Sequence, residues 1–366
     1  MKKIFLTAFI ACCLTQGVRA QYASLTPDEF GKLKNLIGTD ANVKASFKMM
    51  QNRADNAMSE QPNPIDRITS EGKLAGDPAK ERTVKACQDL DKIYALALVY
   101  RITGGKTYLD KASEYLLAWA KTNQSTGDPI DETRLEPAIS GYDMIRNDIS
   151  SEVKKAVDDW MLSVADGELN SKYAVAGRGT ANNNWNSHRI KIIAMIAYVL
   201  GENRYQKLAT TLLEKQIAVN LYADGSGHDF AERDALHYHI YTLEPLISAA
   251  EVIYRATGKN YFNYESSSGS SIRKSVDFLV PFVTGEKTHG EFANSKTEFD
   301  RKRAANGEKE YVAGSAFKPL SGIHVLEEAG YFDLKYLDVV KRVVSADNAH
   351  LNDWEIVLDR VRKPVN

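Results

Sequence analysis

The sequence predicts an all-α protein, an (α/α) incomplete toroid of helical hairpins that forms a single domain. Apolar residues recur at three- and four-residue spacing along most of the chain, and alternating strand patterns are scarce. The helical segments are joined by short turns, a rhythm that lets hairpins stack side by side and close into a ring. Because no Ser-, Pro- or Gly-rich linker divides the chain, residues 21–366 are expected to form one domain.

The first twenty residues have the pattern of a secretory signal peptide. A basic start is followed by a short apolar run over residues 4–14, and Val18, Arg19 and Ala20 resemble a cleavage site. Cys12 leaves open a lipidation box as an alternative. No other stretch is long and apolar enough to span a membrane. The mature chain is therefore expected to be periplasmic or secreted.

Composition limits the possible partners of the chain. The formal net charge is −1, so a polyanionic partner would need a local basic cleft. Nothing in the sequence indicates nucleic-acid binding. With Cys12 and Cys13 in the leader, only Cys87 remains, and one cysteine forms no internal disulfide. The fold is therefore expected to be stabilised by its hydrophobic core, as a monomer or a weak oligomer.

Helix signals begin at residue 26. Thr26 can cap a helix, Pro27 suits the first helical position, and Glu29 completes a capping box. A second helix is predicted over 41–58. Residues 65–78 lack a period and form a long loop, which is either a functional lid or a plain surface connection. The periodicity predicts further helices over residues 81–103, 108–120, 135–145, 153–164, 190–200, 205–219, 233–256 and 271–283, whereas 289–311 is polar and has no clear assignment.

Two polar stretches about 45 residues apart are expected to form one active site from two helix starts. Residues 179–189 precede an apolar helix and contain Asn182, Asn183, Asn184, Trp185 and His188. Residues 232–241 contain Arg233, His237, Tyr238, His239 and Tyr241. Few of these side chains suit a plain core or a plain solvated face. The simpler alternative is that the asparagines cap a helix and the tyrosines pack in the core.

The side chains in these stretches suit the recognition of a carboxylate. Asn184 and His188 are four residues apart, so they share one face of a helix. Amide and imidazole groups at a helix start are suited to binding an anion. On one continuous helix, Arg233, His237 and Tyr241 would form one stripe, with Tyr238 on the neighbouring stripe. The i, i+2 spacing of the histidines points them apart on a helix, and the sequence has neither a cysteine pair nor a His-Glu-x-x-His motif, so no metal site is expected. No cofactor is expected.

This set of residues fits β-elimination from a uronic acid. Asn, His and Arg donors can stabilise the charge that develops on the carboxylate when the C5 proton leaves. A tyrosine can take that proton and protonate O4, provided that a nearby cation lowers its pKa from about 10. A glycosidase would need two acids, which could come from Asp224, Asp229, Glu232 and Asp234. A helical glycan-binding protein without activity is a further alternative.

The chain resembles the alginate lyase superfamily of polysaccharide lyases, in particular the toroidal alginate, mannuronan and glucuronan lyases. The similarity lies in the asparagine run 182–184, in the segment 233–246, which is similar to an Arg-Ala-Leu-x-Tyr-His-x-Tyr motif, and in the texture of 93–119. The resemblance implies an enzyme that cleaves a β-1,4-linked polyuronate. It further implies that Tyr238 is base and acid, that Asn183 or Asn184 and His188 bind the carboxylate, and that Arg233 assists.

Two departures from the family pattern concern specificity. Asn184 stands where the Asn-Asn-His motif of alginate lyases has its histidine, and Asp234 stands where the second motif has an arginine. They favour a sister lineage that acts on mannuronan or glucuronan. The predicted partner is an acidic polysaccharide. The residues expected to bind it are Asn182, Trp185, His237, His239 and Tyr241, the loop residues Arg67 and Arg134, and, from the polar region, His289 and Asn294. The basic run 301–303 either joins the cleft or is a solvated loop.

Overall fold

A computed structural model describes residues 23–344 and 354–362, so the predicted signal peptide, residues 1–20, lies outside the described residues. Two short strands, β1 (Gly290–Glu291) and β2 (Ser315–Ala316), pair antiparallel. The α-helices are α1 (Pro27–Thr39), α2 (Ala41–Ala57), α3 (Pro78–Thr103), α4 (Lys106–Thr122), α5 (Pro129–Glu132), α6 (Glu136–Ile145), α7 (Ser151–Leu169), α8 (Asn184–Leu200), α9 (Asn203–Asn220), α10 (His228–Arg233), α11 (Leu236–Thr257), α12 (Ile272–Val283), α13 (Glu298–Ala305), α14 (Ile323–Ala329), α15 (Lys335–Val343) and α16 (Trp354–Arg362).

The long helices form a two-layered helical toroid, which confirms the predicted fold class. Helices α3, α6, α8, α11 and α14 each pack against the next and form an inner layer, and α2, α4, α7, α9 and α12 pack outside them. Nearly every residue of α8 is buried, as expected of a helix with neighbours on all sides. Helix α16 contacts both α1 and α14 and so joins the first and last parts of the ring.

Local signals placed several helices well. Thr26 Oγ1 accepts a hydrogen bond from the backbone nitrogen of Glu29, and the Glu29 carboxylate accepts one from the backbone of Thr26, which confirms the capping box. Helix α3 begins at Pro78, three residues before the predicted start, because Asp77 caps it. None of the helices in the described part of the chain has the length and hydrophobicity that a membrane span needs.

The prediction of one helix over 233–256 was wrong at its start. The backbone turns at Asp234, which has a left-handed φ of 46°, so α10 ends at Arg233 and α11 begins at Leu236. The turn is held by contacts from distant residues. Asn294 donates to the Asp234 carboxylate from its backbone and its side chain, and the Glu291 carboxylate accepts from the first backbone nitrogens of α11. Hydrophobic periodicity does not report such long-range caps.

Candidate active site

A cavity of about 230 Å³ opens where α8 and α11 begin. Its wall is completed by the loop between α2 and α3, the first turn of α3, the segment 130–134, the short helices α10 and α13, and the residues that follow α13. The lining residues are Ser70, Glu71, Lys80, Ile130, Arg134, Asn184, Trp185, Arg233, His237, Tyr238, Tyr241, Phe299, Arg303 and Tyr311. The two polar stretches singled out in the sequence therefore contribute to one wall, and so does Arg134.

Tyr238 lies between two guanidinium groups in this wall. It is only 6% exposed. The guanidinium carbon of Arg233 lies 3.7 Å from the centre of its ring, and Nη1 of Arg303 donates to its hydroxyl at 2.8 Å. Burial raises the pKa of Tyr238, and the charges of Arg233 and Arg303 oppose that rise. The two guanidiniums therefore make the phenolate form of Tyr238 more stable than it would be if the phenol were buried without them.

Arg233 reaches Tyr238 from a different helix than the sequence suggested. Because the chain turns at Asp234, Arg233 belongs to α10 and shares no helical stripe with His237 or Tyr241. Its Nε donates to Asp300 Oδ2 at 2.8 Å, and its Nη2 pairs with Asp300 Oδ1. Such a two-point contact fixes both the position and the plane of the guanidinium.

The three asparagines before α8 have different roles. Asn184 lines the cavity, and its Nδ2 donates to the buried carboxylate of Asp229 at 2.6 Å. Asn183 is a helix cap, because its side-chain oxygen accepts from the backbone nitrogen of Trp185. Asn182 lies off the cavity, and its backbone oxygen accepts from the side chains of Gln216 and Asn220. Only Asn184 is therefore placed to contact a bound ligand.

His188 does not reach the cavity. It is 3% exposed and lies beneath Tyr241, with 4.3 Å between the ring centres. Its Nδ1 is 3.0 Å from the hydroxyl of Thr133. Burial holds the pKa of His188 well below its usual range, so the imidazole is neutral. The geometry gives His188 a supporting contact with Tyr241 in place of the predicted contact with a carboxylate.

His239, which the sequence analysis expected to bind the substrate, does not line the cavity. It is fully buried, its Nε2 lies 2.9 Å from the backbone oxygen of Ser275 in α12, and it packs against Phe230 and Phe278. His237, two residues earlier, faces the cavity. The two imidazoles thus point to different sides of α11. Within the described residues, no group of three His, Cys, Asp or Glu side chains is arranged to hold a metal ion.

Three other predicted contacts also lie off the cavity. Arg67 is exposed on the loop before α3 and does not line the wall. His289 has its Nε2 3.1 Å from the backbone oxygen of Asp234, and Asn294 binds the Asp234 carboxylate. The polar region around 289–294 therefore holds the turn between α10 and α11 and does not form the cavity wall.

Sequence analysis missed several residues of the wall. Ser70 and Glu71 come from the loop for which the sequence left two interpretations open, and the structure favours the functional one. Phe299 and Tyr311 come from the region without an assignment. Arg303 belongs to the basic run 301–303, for which the sequence left open a place in the cleft or a solvated loop, and it lines the cavity. The wall residues that the sequence analysis did not name are Ser70, Glu71, Lys80, Ile130, Phe299 and Tyr311.

Among the described residues, Glu71 is the one carboxylate in the cavity wall. Burial raises the pKa of Glu71, and the nearby Arg303 opposes the rise. The four acids considered for a glycosidase lie elsewhere. Asp229 is buried under Asn184, and Asp234 is occupied by Asn294. Asp224 and Glu232 also lie outside the wall. The wall thus lacks the pair of acids that hydrolysis of a glycoside needs.

The chain is similar to alginate lyases in sequence and in structure. The family model described as alginate lyase matches residues 39–289. An alginate lyase from Bacteroides ovatus has 18% sequence identity and a TM-score of 0.67, over 89% of this chain and 96% of that one. Alginate lyase A1-III from Sphingomonas species A1 has 18% identity and a TM-score of 0.54, over 83% and 95%.

A variant of alginate lyase A1-III complexed with a tetrasaccharide is also similar. It has 20% identity and a TM-score of 0.54, over 74% of this chain and 79% of that one. The search of curated proteins gave no match. At these identities the solved structures establish a shared fold.

Proposed function

The chain belongs to the alginate lyase family of polysaccharide lyases, and from that premise we propose that it cleaves a β-1,4-linked polyuronate by β-elimination with Tyr238 as base and acid. The observation that carries this proposal is the contact of the Tyr238 phenol with two guanidiniums in a cationic cavity. Lys80, Arg134, Arg233 and Arg303 all line the wall. Cationic side chains at this density suit a polymer that carries one carboxylate per sugar.

The proposed reaction needs no oxidant and no water. The phenolate oxygen of Tyr238 takes the proton from C5, and the C–H electron pair moves into the carboxylate as an enolate. The pair then forms the C4–C5 double bond while the C4–O4 bond breaks. The Tyr238 phenol returns the proton to O4. One product is a 4,5-unsaturated uronate, and the other carries a new reducing end.

The enolate is the species that the wall must stabilise, because charge accumulates on the carboxylate as the C5 proton leaves. Asn184 is the amide donor at the cavity, and we assign the second contact to Arg134, which lies on the same wall. His188 is neutral and lies beneath Tyr241. We therefore give it the role of holding Tyr241 rather than that of binding the carboxylate. Asn183 acts as the helix cap, which leaves Asn184 as the carboxylate ligand.

A single residue that is both base and acid restricts the stereochemistry. One phenol can reach C5–H and O4 only when both lie on the same side of the sugar. D-Mannuronate and D-glucuronate present these atoms syn, and L-guluronate presents them anti. The preferred polymers are therefore polymannuronate and glucuronan. The predicted signal peptide, residues 1–20, would export the enzyme to the periplasm or beyond, where such polymers are encountered.

Absorbance in the near ultraviolet tests the proposed function. Mature protein is incubated separately with polymannuronate, polyguluronate and glucuronan. A rise on polymannuronate or glucuronan reports the double bond conjugated to the carboxylate, and polyguluronate should give the slowest rise. New reducing ends without absorbance would establish hydrolysis instead. Binding without either signal would establish a glycan-binding protein.

A further inference from the structure

Two aromatic rings hold Arg303 in a position from which it donates a hydrogen bond to the oxygen of Tyr238. Its guanidinium carbon lies 4.5 Å from the ring centre of Phe299 and 4.6 Å from that of Tyr311. Two aromatic rings on one guanidinium fix its plane and attract its charge. From this position, Nη1 donates to the Tyr238 hydroxyl at 2.8 Å. The aromatic contacts thus orient a charged donor at one atom of the cavity.

We propose that Arg303 is a catalytic residue, which stabilises the phenolate form of Tyr238 through the hydrogen bond to its oxygen. The inference rests on the proposed function, because it assumes that Tyr238 is the base. A charged donor at this position stabilises an oxygen anion more than a neutral hydroxyl. Arg301, two residues earlier in the same helix, is exposed and donates to the backbone oxygen of Ser295, so it offers a matched comparison.

The two guanidiniums at Tyr238 are not equivalent, because Arg303 donates to its oxygen whereas Arg233 covers its ring. Arg233 covers the face of the ring, and its charge is compensated by the two-point ion pair with Asp300. Arg303 contacts the oxygen itself. No carboxylate of the described residues lies within ion-pair distance of Arg303. Arg303 therefore acts on the reacting atom through a direct hydrogen bond, and Arg233 acts on it through the face of the ring.

Other charged or titratable groups also surround Tyr238. His237 and Tyr241 come from its own helix, with ring centres 5.0 and 6.3 Å away. The negative charge of Asp300 on α13 raises the pKa of Tyr238, in opposition to the two arginines. Tyr311 also interacts electrostatically with Tyr238. Glu71 faces Arg303 from the loop before α3. Because these groups stay in place when Arg303 alone is replaced, the change in pH dependence reports Arg303.

Arg303 keeps its own proton throughout the proposed cycle, because a guanidinium does not deprotonate in proteins. Before the reaction it donates to the phenolate. After C5 loses its proton to Tyr238, Arg303 donates to the neutral phenol. Because this hydrogen bond becomes stronger when the phenolate forms again, it favours release of the proton to O4. Arg303 therefore acts on the ionisation of Tyr238 and does not enter the proton transfer itself.

The test is the pH dependence of kcat/KM, measured by absorbance on the polymer that the wild type cleaves. In Arg303→Met we expect the acidic limb, where the base must lose its proton, to move to higher pH by about one to three units. Arg303→Lys keeps the charge without the planar fork, so the limb should move part of the way back. Arg301→Met should retain the wild-type profile.

A second measurement is independent of turnover. The tyrosinate absorbance of the wild type minus that of Tyr238→Phe gives the titration of this one phenol without substrate. The same difference with Arg303→Lys or Arg303→Met in the background should lie at higher pH. If Arg303→Met unfolds, the Lys variant still decides the question.

The inference would be overturned if Arg303→Met lowered the rate by the same factor at every pH, or raised only KM. An unshifted phenol titration in the Lys and Met variants would also overturn it. Failure of the proposed function looks different, because the wild type would then produce no absorbance from any of the polymers. Activity retained in Tyr238→Phe would show that Tyr238 is not the base, and the proposed role of Arg303 would then fail as well.

Discussion

The carboxylate of Asp229 accepts two hydrogen bonds from Asn184, one from the backbone nitrogen at 3.0 Å and one from Nδ2 at 2.6 Å. Its second oxygen accepts from Nδ2 of Asn220 at 2.7 Å. Asp229 is 1% exposed, and these three donors offset the cost of burying its carboxylate. An acid on α10 thereby fixes the amide that begins α8 at the cavity.

Asp229→Asn should lower kcat roughly ten- to hundredfold on the cleaved polymer. The NH2 group of the new amide would face Asn184 or Asn220, which are themselves donors to this position. Asn184 would then lose its fixed orientation, and small misplacements of this kind are costly in the transition state. Circular dichroism and the melting temperature check that the variant is folded. The exposed Asp224→Asn, a few residues earlier, should keep the wild-type kcat. An unchanged kcat in Asp229→Asn would show that the orientation of Asn184 is not needed.

Arg134→Ala should lower kcat/KM for the polyuronate roughly ten- to hundredfold, with a higher KM and a lower kcat, because a charged hydrogen bond to the carboxylate is lost in the bound polymer and in the enolate. Arg134 lines the cavity wall, with its Nε 3.4 Å from the Ser70 hydroxyl. Arg67 was an equal candidate in the sequence but lies away from the cavity, so Arg67→Ala is the matched control and should leave KM unchanged. Equal effects of the two variants would indicate general attraction by surface charge.

His239 should make the protein less stable in mild acid. Burial lowers the pKa of His239 from 6.5 to about 4, so between these values the unfolded chain binds more protons than the folded one. The free energy of unfolding therefore falls as the pH falls through this window. The contribution is about 2 kcal/mol between pH 7 and pH 5. The test compares urea unfolding of the wild type with that of His239→Gln, whose side chain can still donate to Ser275. Parallel losses of stability in the two proteins would contradict this account.

Local signals in the sequence predicted the fold well. Helix boundaries follow from caps such as the Thr26–Glu29 box and from three- and four-residue spacing, both of which act over short distances. The break at Asp234 could not be predicted, because it depends on Glu291 and Asn294, which lie more than fifty residues later in the chain. Such long-range contacts override the helical period of residues 233–256.

The site was predictable where both stretches face the same wall, as with Asn184, Trp185, His237, Tyr238 and Tyr241. It was harder to predict which side chains at a helix start face the cavity and which face the protein interior. His188 and His239 are polar residues within the same stretches, yet both are buried and neither lines the cavity. Arg303 and Tyr311 come from a segment without periodicity, so their approach to Tyr238 depends on tertiary packing alone.

Replacement of single phenols in the cavity wall tests the central claim most directly. The initial rate of double-bond formation is measured at saturating polymer for Tyr238→Phe and for the matched variant Tyr241→Phe, with polymer binding measured in parallel. The account predicts that Tyr238→Phe loses about a hundredfold or more in rate and still binds the polymer, since the hydroxyl carries both proton transfers. Tyr241→Phe should keep most of the rate. Full activity in Tyr238→Phe, with loss in Tyr241→Phe, would contradict the assignment of the base.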